Sequence, residues 1–304
     1  MADKQKTIKE AVSVTGTGLH TGQEGTITFH PAPENHGIKF RRIDLEGQPI
    51  VDATIDYVIS TDRGTTLGKD NARIYTIEHV LAALTGMGID NTLIDIDMEE
   101  MPIKDGSSSY FVKAIEEAGI EEQNAEKKVL VITEKTEFEL ADKKIKVSIE
   151  PADHFSVSVE IDYETKVLGK QHAELNNLND FKKEISFCRT FVFLHELEYL
   201  LNNNLIKGGD INNAIIFVNK VVEQDELDRL AKLFNKPTVI VKSKGILNNI
   251  DLYFDNEPAR HKLLDLIGDL TLLGMSIQGH IKAQRPGHFT NTQFTKLLQK
   301  SYSL

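Results

Sequence analysis

The chain has 304 residues, 40 % hydrophobic and 27 % charged, which is more than one ordinary core usually serves, so two domains are the default expectation. Its formal net charge of −11 is the opposite of the basic footprint that nucleic acid demands, and no stretch approaches the roughly 20 apolar residues of a membrane span. Cys188 is the only cysteine, so an internal disulfide is impossible and a metal site must rely on His and carboxylates; with the polar opening 1–10, this points to a cytoplasmic protein.

In chain order, strand-like runs at 7–14, 25–30 and 37–42 are separated by Gly and Pro, the punctuation of an antiparallel sheet. A helix follows over 76–84, with Thr76 as N-cap and Gly86 and Gly88 as stops. The run 91–98 alternates apolar and polar residues as a strand does, and 108–118 reads as a second helix stopped by Gly119. The charged stretch 121–128 lies between structured regions and marks the boundary between a first domain, 1–124, and a second, 125–304. The second half repeats the plan, with strand-like runs at 128–140, 145–150 and 155–163. A helix over 258–273 carries Pro258 in its first turn and Gly274 as its stop; a strand at 276–283 and a last helix over 292–300 follow. The runs ALTGMGIDNTLIDI and LTLLGMSIQGHIKA share texture, so the expected fold is α+β with two similar domains packed together. The segment 190–222, with a helical pattern, a Gly pair and a strand-like AIIFVNK, reads as a β-α-β-like insertion in the second domain.

Several motifs fail on their spacing. GTGLHTG at 16–22 has the wrong interval for a dinucleotide fingerprint and leads into a strand rather than a helix. HELEY at 195–199 lacks the second His of a zincin helix, and DGS at 105–107 is not a nucleophile elbow. His261 and Asp265, four residues apart, differ by about 40° around a helix and can reach one metal from one face; Asp269 extends that face by a turn. His79, at the start of the matching helix of the first half, could complete a His₂Asp set with one position open, and Glu78 beside it could take a proton. Spacing alone favours a plainer reading, in which these are solvated or capping residues. His288, in a Gly/Pro-marked loop, is by itself no more suspicious than His154 or His172.

The runs GTGLHTG (16–22), TIEH (76–79), GIDN (88–91), PIKDGS (102–107), RTF (189–191), RHKLLD (260–265), IGDL (267–270) and GH (287–288) change that balance. In order and spacing, over nearly the whole chain, the sequence resembles the UDP-3-O-acyl-N-acetylglucosamine deacetylase family, which performs the committed deacetylation of lipid A biosynthesis. The resemblance implies Zn²⁺ held by His79, His261 and Asp265, although Fe²⁺ suits the same donors. It implies Glu78 as general base, His288 as general acid, Asp269 as the carboxylate that orients and charges His288, Thr190 as an oxyanion-holding hydroxyl and Lys262 as a lysine of the same site. Phe191 belongs to the matching RTF motif and is assigned to the substrate; Leu197, Gly209 and Ile211 fall on an acyl-chain passage built by the insertion, and Tyr163 falls where an aromatic residue lies under uracil. The implied fold has helical layers between outer β-sheets, and the implied partner is the small-molecule sugar nucleotide, with neither nucleic acid nor stable membrane insertion, acting as a monomer. Some relatives continue into a fused dehydratase domain. The loop 60–67 (STDRGTTL) departs from relatives that carry a cysteine there, and Ile211 replaces a common aromatic; both bear on the preferred acyl length. A metal-dependent N-deacylase of another sugar is the alternative. A non-catalytic module with structural zinc would need a fourth ligand and a basic face.

Overall fold

The computed structural model describes residues 3–202, 207–208, 213–219, 222–233, 238–242, 245–247 and 250–303. Within them lie helices α1 (Glu78–Gly86), α2 (Ser109–Ala118), α3 (Phe181–Glu184), α4 (Leu194–Asn202), α5 (Gln224–Leu233), α6 (Glu257–Thr271) and α7 (His288–Ser301). Among the described residues no helix is long and apolar enough to cross a membrane.

Two five-stranded sheets carry the architecture. The first runs Val12–Thr17, Glu24–Pro31, Thr92–Ile96, Ile38–Arg42, Ile50–Asp52 across the sheet; the second runs Thr136–Leu140, Ile145–Glu150, His280–Gln284, Ser156–Asp162, Lys170–Leu175. In each, successive pairings are antiparallel, antiparallel, parallel and antiparallel. The expected repeat is therefore present strand for strand. Glu24–Pro31 shows why such runs become strands: every second residue, including Ile27 and Phe29, is buried while its neighbours face outward. Helix α2 packs on the first sheet at Val12–Thr17, α6 and α7 pack on the second, and α1 packs on both α2 and α6, so the helices lie between the two sheets.

The α1–α6 contact is the centre of the molecule. Residues 80–84 of α1 are buried all round, as a helix enclosed by protein requires. Gly268 lets α6 come directly against α1, because a β-carbon there would be driven into the backbone carbonyl of Glu78. The insertion forms a parallel strand–helix–strand unit from Phe191–Phe193, α4 and Ile215–Phe217, with a separate apolar cluster around Leu194, Ile216, Leu230 and Leu247.

Several expected elements differ in detail. The run 7–14 is two strands, Lys4–Ile8 and Val12–Thr17. The charged stretch read as lying between structured regions is largely a strand, Ile120–Glu126, which pairs antiparallel with Lys4–Ile8; its charges are the exposed face of a two-stranded ribbon. The run 128–140 divides into Val129–Val131 and Thr136–Leu140, and the run 276–283 breaks at Gly279, its first part pairing with Val129–Val131. Thr76 does not cap α1: its φ is +59° and its hydroxyl donates to Glu100 (3.2 Å), while Ile77 occupies the N-cap. The last helix begins at His288, four residues before the expected start, so His288 lies in a first turn rather than a loop.

Candidate metal centre and its cavity

α1 supplies His79 from its first turn, and α6 supplies His261 and Asp265 from successive turns of one face. One donor atom from each lies within 4.8 Å of the others. The imidazole rings of His79 and His261 meet edge to face at 5.1 Å, and Asp265 Oδ1 is 3.7 Å from His79 Nε2 and 3.3 Å from His261 Nε2. The Nδ1 of His261 donates to the Cys188 carbonyl (3.0 Å), which leaves the Nε2 lone pair aimed at the group. Burial pushes the His261 pKa down to about 3, so the ring is neutral, as a metal ligand must be.

Asp265 Oδ1 is buried with no hydrogen-bond partner, while Oδ2 accepts from Lys262 Nζ (2.8 Å). Against the effect of burial, the Lys262 ammonium helps to hold the Asp265 carboxyl well below the usual carboxylate range. An ionised oxygen left without a donor in the interior is costly, and a cation removes that cost. Two imidazoles and one carboxylate, mutually within reach and with an orphaned oxygen facing the ring nitrogens, fit a divalent metal and leave a coordination position over.

Glu78, also in the first turn of α1, is buried; its Oε2 accepts from the Thr65 N–H (3.0 Å), and its Oε1 lies 3.9 Å from His288 Nε2. Burial raises its pKa, opposed by His288 and His79. His288 opens α7, where the helix dipole disfavours a cation. Desolvation acts in the same direction, yet the carboxylates of Asp269 and Glu78 outweigh it and raise the His288 pKa to about 9. His288 Nδ1–H donates to Asp269 Oδ2 (3.0 Å), which also accepts from Asn291 Nδ2 (2.8 Å); Asp269 Oδ1 accepts from the Thr65 hydroxyl (2.5 Å).

A cavity of about 780 Å³ opens from Glu78, His79, His261, Asp265 and His288. Its wall includes Thr190, Phe191, Lys262, Tyr163 and Leu197, so these five residues share one space with the metal group. Asp269 stands behind His288 rather than on the wall. Gly209 and Ile211 lie outside the described residues. Tyr163 and Phe191 meet edge to face at 5.4 Å, and Lys262 Nζ sits 5.7 Å from the Phe191 ring centre. Thr190 is fixed through its backbone: its N–H donates to the Gly106 carbonyl (2.8 Å), and its carbonyl accepts from Ile215 (2.8 Å). Gly106 has φ +83°, and a β-carbon there would come within 2.9 Å of Thr190 Cγ2, which explains why the DGS turn needs glycine. Arg189, just before Thr190, is locked by a buried ion pair to Glu257 at the start of α6 (Nε–Oε1 2.9 Å).

Sequence reasoning missed Thr65, Asn291, Glu100 and the Cys188 carbonyl. Asn291 could have been found, since it lies three residues after His288 on what proves to be one helix. Glu100 accepts from the backbone N–H of His20 (2.9 Å) and Thr21 (2.8 Å) and thus ties GTGLHTG to the cavity wall, where His20 lies. That glycine-rich loop wraps a carboxylate of its own chain.

The family model described as LpxC, UDP-3-O-acyl N-acetylglycosamine deacetylase, matches residues 5–232 and 229–300. The chain is 45 % identical over 301 residues to a bifunctional enzyme LpxC/FabZ of Bacteroides thetaiotaomicron, covering 99 % of this chain and 65 % of that protein. A bifunctional LpxC/FabZ of Chlorobaculum tepidum is 47 % identical over 299 residues, 97 % of this chain and 64 % of that one; the chain thus spans just under two thirds of these relatives. A UDP-3-O-acyl-N-acetylglucosamine deacetylase of Idiomarina loihiensis is 40 % identical over 301 residues, covering 97 % of this chain and 89 % of the relative. The chain belongs to the LpxC family of UDP-3-O-acyl N-acetylglycosamine deacetylases.

Proposed function

We propose that this chain is a zinc-dependent amidase that removes the N-acetyl group of UDP-3-O-acyl-N-acetylglucosamine, releasing acetate and the free 2-amino sugar nucleotide in lipid A biosynthesis. One observation carries the reading: a buried carboxylate, Glu78, and a charged imidazole, His288, converge on the His79–His261–Asp265 group at a single cavity. The activity for which the Idiomarina relative is named supports the choice of substrate.

His79, His261 and Asp265 would hold the metal. A zinc ion held there would supply Lewis acidity, which makes water acidic enough to ionise near neutral pH. Glu78 takes the proton of the attacking water on Oε1, since Oε2 is engaged by Thr65, and its raised pKa makes it a stronger base than an exposed carboxylate. His288 keeps a proton on Nε2 and delivers it to the departing nitrogen, which leaves poorly as an anion. The Nδ1–H of His288 stays committed to Asp269, which fixes the ring and sustains its charge. Thr190 and Lys262 stabilise the developing oxyanion from the cavity wall, and Tyr163, Phe191 and Leu197 receive the uridine and acyl portions.

The test is acetate release from UDP-3-O-acyl-N-acetylglucosamine before and after chelation, then with one equivalent of zinc or ferrous iron restored. Activity should vanish with the metal and return with it, and the two metals identify the native cofactor. A folded, zinc-loaded protein that releases no acetate would sink the reading and bring forward an N-deacylase of another sugar.

A further inference from the structure

We propose that Thr65 is a positioning residue that sets the general base and the general acid in register across the two halves of the molecule; the inference rests on the deacetylase reading above. Glu78 sits on α1, Asp269 on α6 and His288 on α7, so three helices must be aligned before base and acid face one substrate. Thr65, fully buried immediately before the strand Thr66–Lys69, bonds to Glu78 and Asp269, and its hydroxyl oxygen lies 3.5 Å from His288 Nδ1, so it touches all three. Its N–H donates to Glu78 Oε2 (3.0 Å), and its hydroxyl donates to Asp269 Oδ1 (2.5 Å).

The pattern of bonds around Asp269 gives the hydroxyl a specific task. Asp269 accepts from Thr65 on one oxygen and from Asn291 and His288 on the other. With Thr65 and Asn291 in place, the carboxylate cannot turn about its Cβ–Cγ bond without losing a donor. The oxygen facing His288 is therefore held where Nδ1–H can reach it. Without the hydroxyl, Oδ1 becomes a buried anionic oxygen with no donor, and rotation towards another partner is favoured.

The loop is built for this approach. Arg63 takes φ +61°, a conformation that a residue with a β-carbon rarely adopts unless its surroundings impose it. At Gly64 a β-carbon would stand 3.0 Å from Glu78 Oε1, the oxygen nearer His288, so glycine keeps that oxygen open while the next residue binds the other.

The test compares Thr65→Val, which keeps the shape and removes the hydroxyl, with Thr65→Ser, which keeps the hydroxyl. Zinc content, melting, kcat and KM for acetate release, and the downfield Nδ1–H proton resonance of His288, assigned by its loss in His288→Ala, are measured for each. Thr65→Val should retain stoichiometric zinc, lose about 10- to 100-fold in kcat with KM within about two-fold, and shift the resonance. Thr65→Ser should recover most of the rate and the native resonance. Wild-type kcat in the valine variant, or a serine variant as impaired as the valine, overturns the proposal. If the valine variant does not fold, Thr65→Ala carries the same comparison. If the wild-type protein releases no acetate, the functional reading fails and the resonance decides alone: a shift in Thr65→Val restored in Thr65→Ser upholds Thr65 as the anchor of the Asp269–His288 pair, and no shift refutes it.

Discussion

The two halves share one sheet topology and one central helix each, yet they contribute unequally to the site. α1, the helix of the first half, offers Glu78 and His79 from its first turn and is apolar and buried over 80–84. α6, the helix of the second half, carries His261, Asp265 and Asp269 at four-residue intervals, a buried polar stripe along most of its 15 residues. Such a stripe survives because each member is partnered: His261 by Cys188, Asp265 by Lys262, and Asp269 by Thr65, Asn291 and His288. Repetition of the scaffold dictates where the helices meet, and the residues on each then divide the labour. On the proposed reading, the first half would give the base and one ligand, and the second the acid, its orienting carboxylate and two ligands.

This division can be broken experimentally, beginning where the effect is largest. Asp265→Ala should abolish stoichiometric zinc binding, and acetate release with it, which metal analysis of the purified variant would check. Glu78→Ala and His288→Ala, one from each half, should keep their zinc and lower kcat by about 10²- to 10⁴-fold each. Near-wild-type kcat in either would remove that half from proton transfer. The pH profile sharpens the same contrast. His288 must be protonated, and with its pKa raised to about 9 the active form is present below that value and lost above it. Glu78 must be ionised, and burial raises its pKa, so the acid limb should lie above the ordinary carboxylate range. In the His288→Ala variant the alkaline limb should disappear while the acid limb remains and moves to higher pH, since His288 no longer opposes the effect of burial on Glu78. Gly268→Ala should have the smallest effect, a loss of about 1–3 kcal/mol in stability as α6 is pushed off the Glu78 backbone, measured by denaturant melting.

Many of the elements were legible in the sequence because they are written in local patterns, whereas the site residues stood out only through the family resemblance, since their spacing alone favoured a plainer reading. The i,i+4 spacing of His261 and Asp265, the glycine stops and the apolar alternation of 91–98 report on neighbours a few residues away. Thr65 has no such pattern: its partners are 13 and 204 residues distant, and nothing in TDRGTT separates it from any polar loop residue. Thr76 misled for the same reason. A threonine before a helix normally caps it, but here Glu100 takes its hydroxyl and a positive φ turns it away. The strand Ile120–Glu126 was hidden because a two-stranded ribbon needs few apolar residues, so its composition is that of a linker.

The close crossing at Gly268 means that neither half alone holds a complete reaction centre. Severed between the halves, the chain would give two fragments, one with the proposed base Glu78 and one with the proposed acid His288. Acetate release would then require their complementation, making turnover a reporter of reassembly at that one glycine.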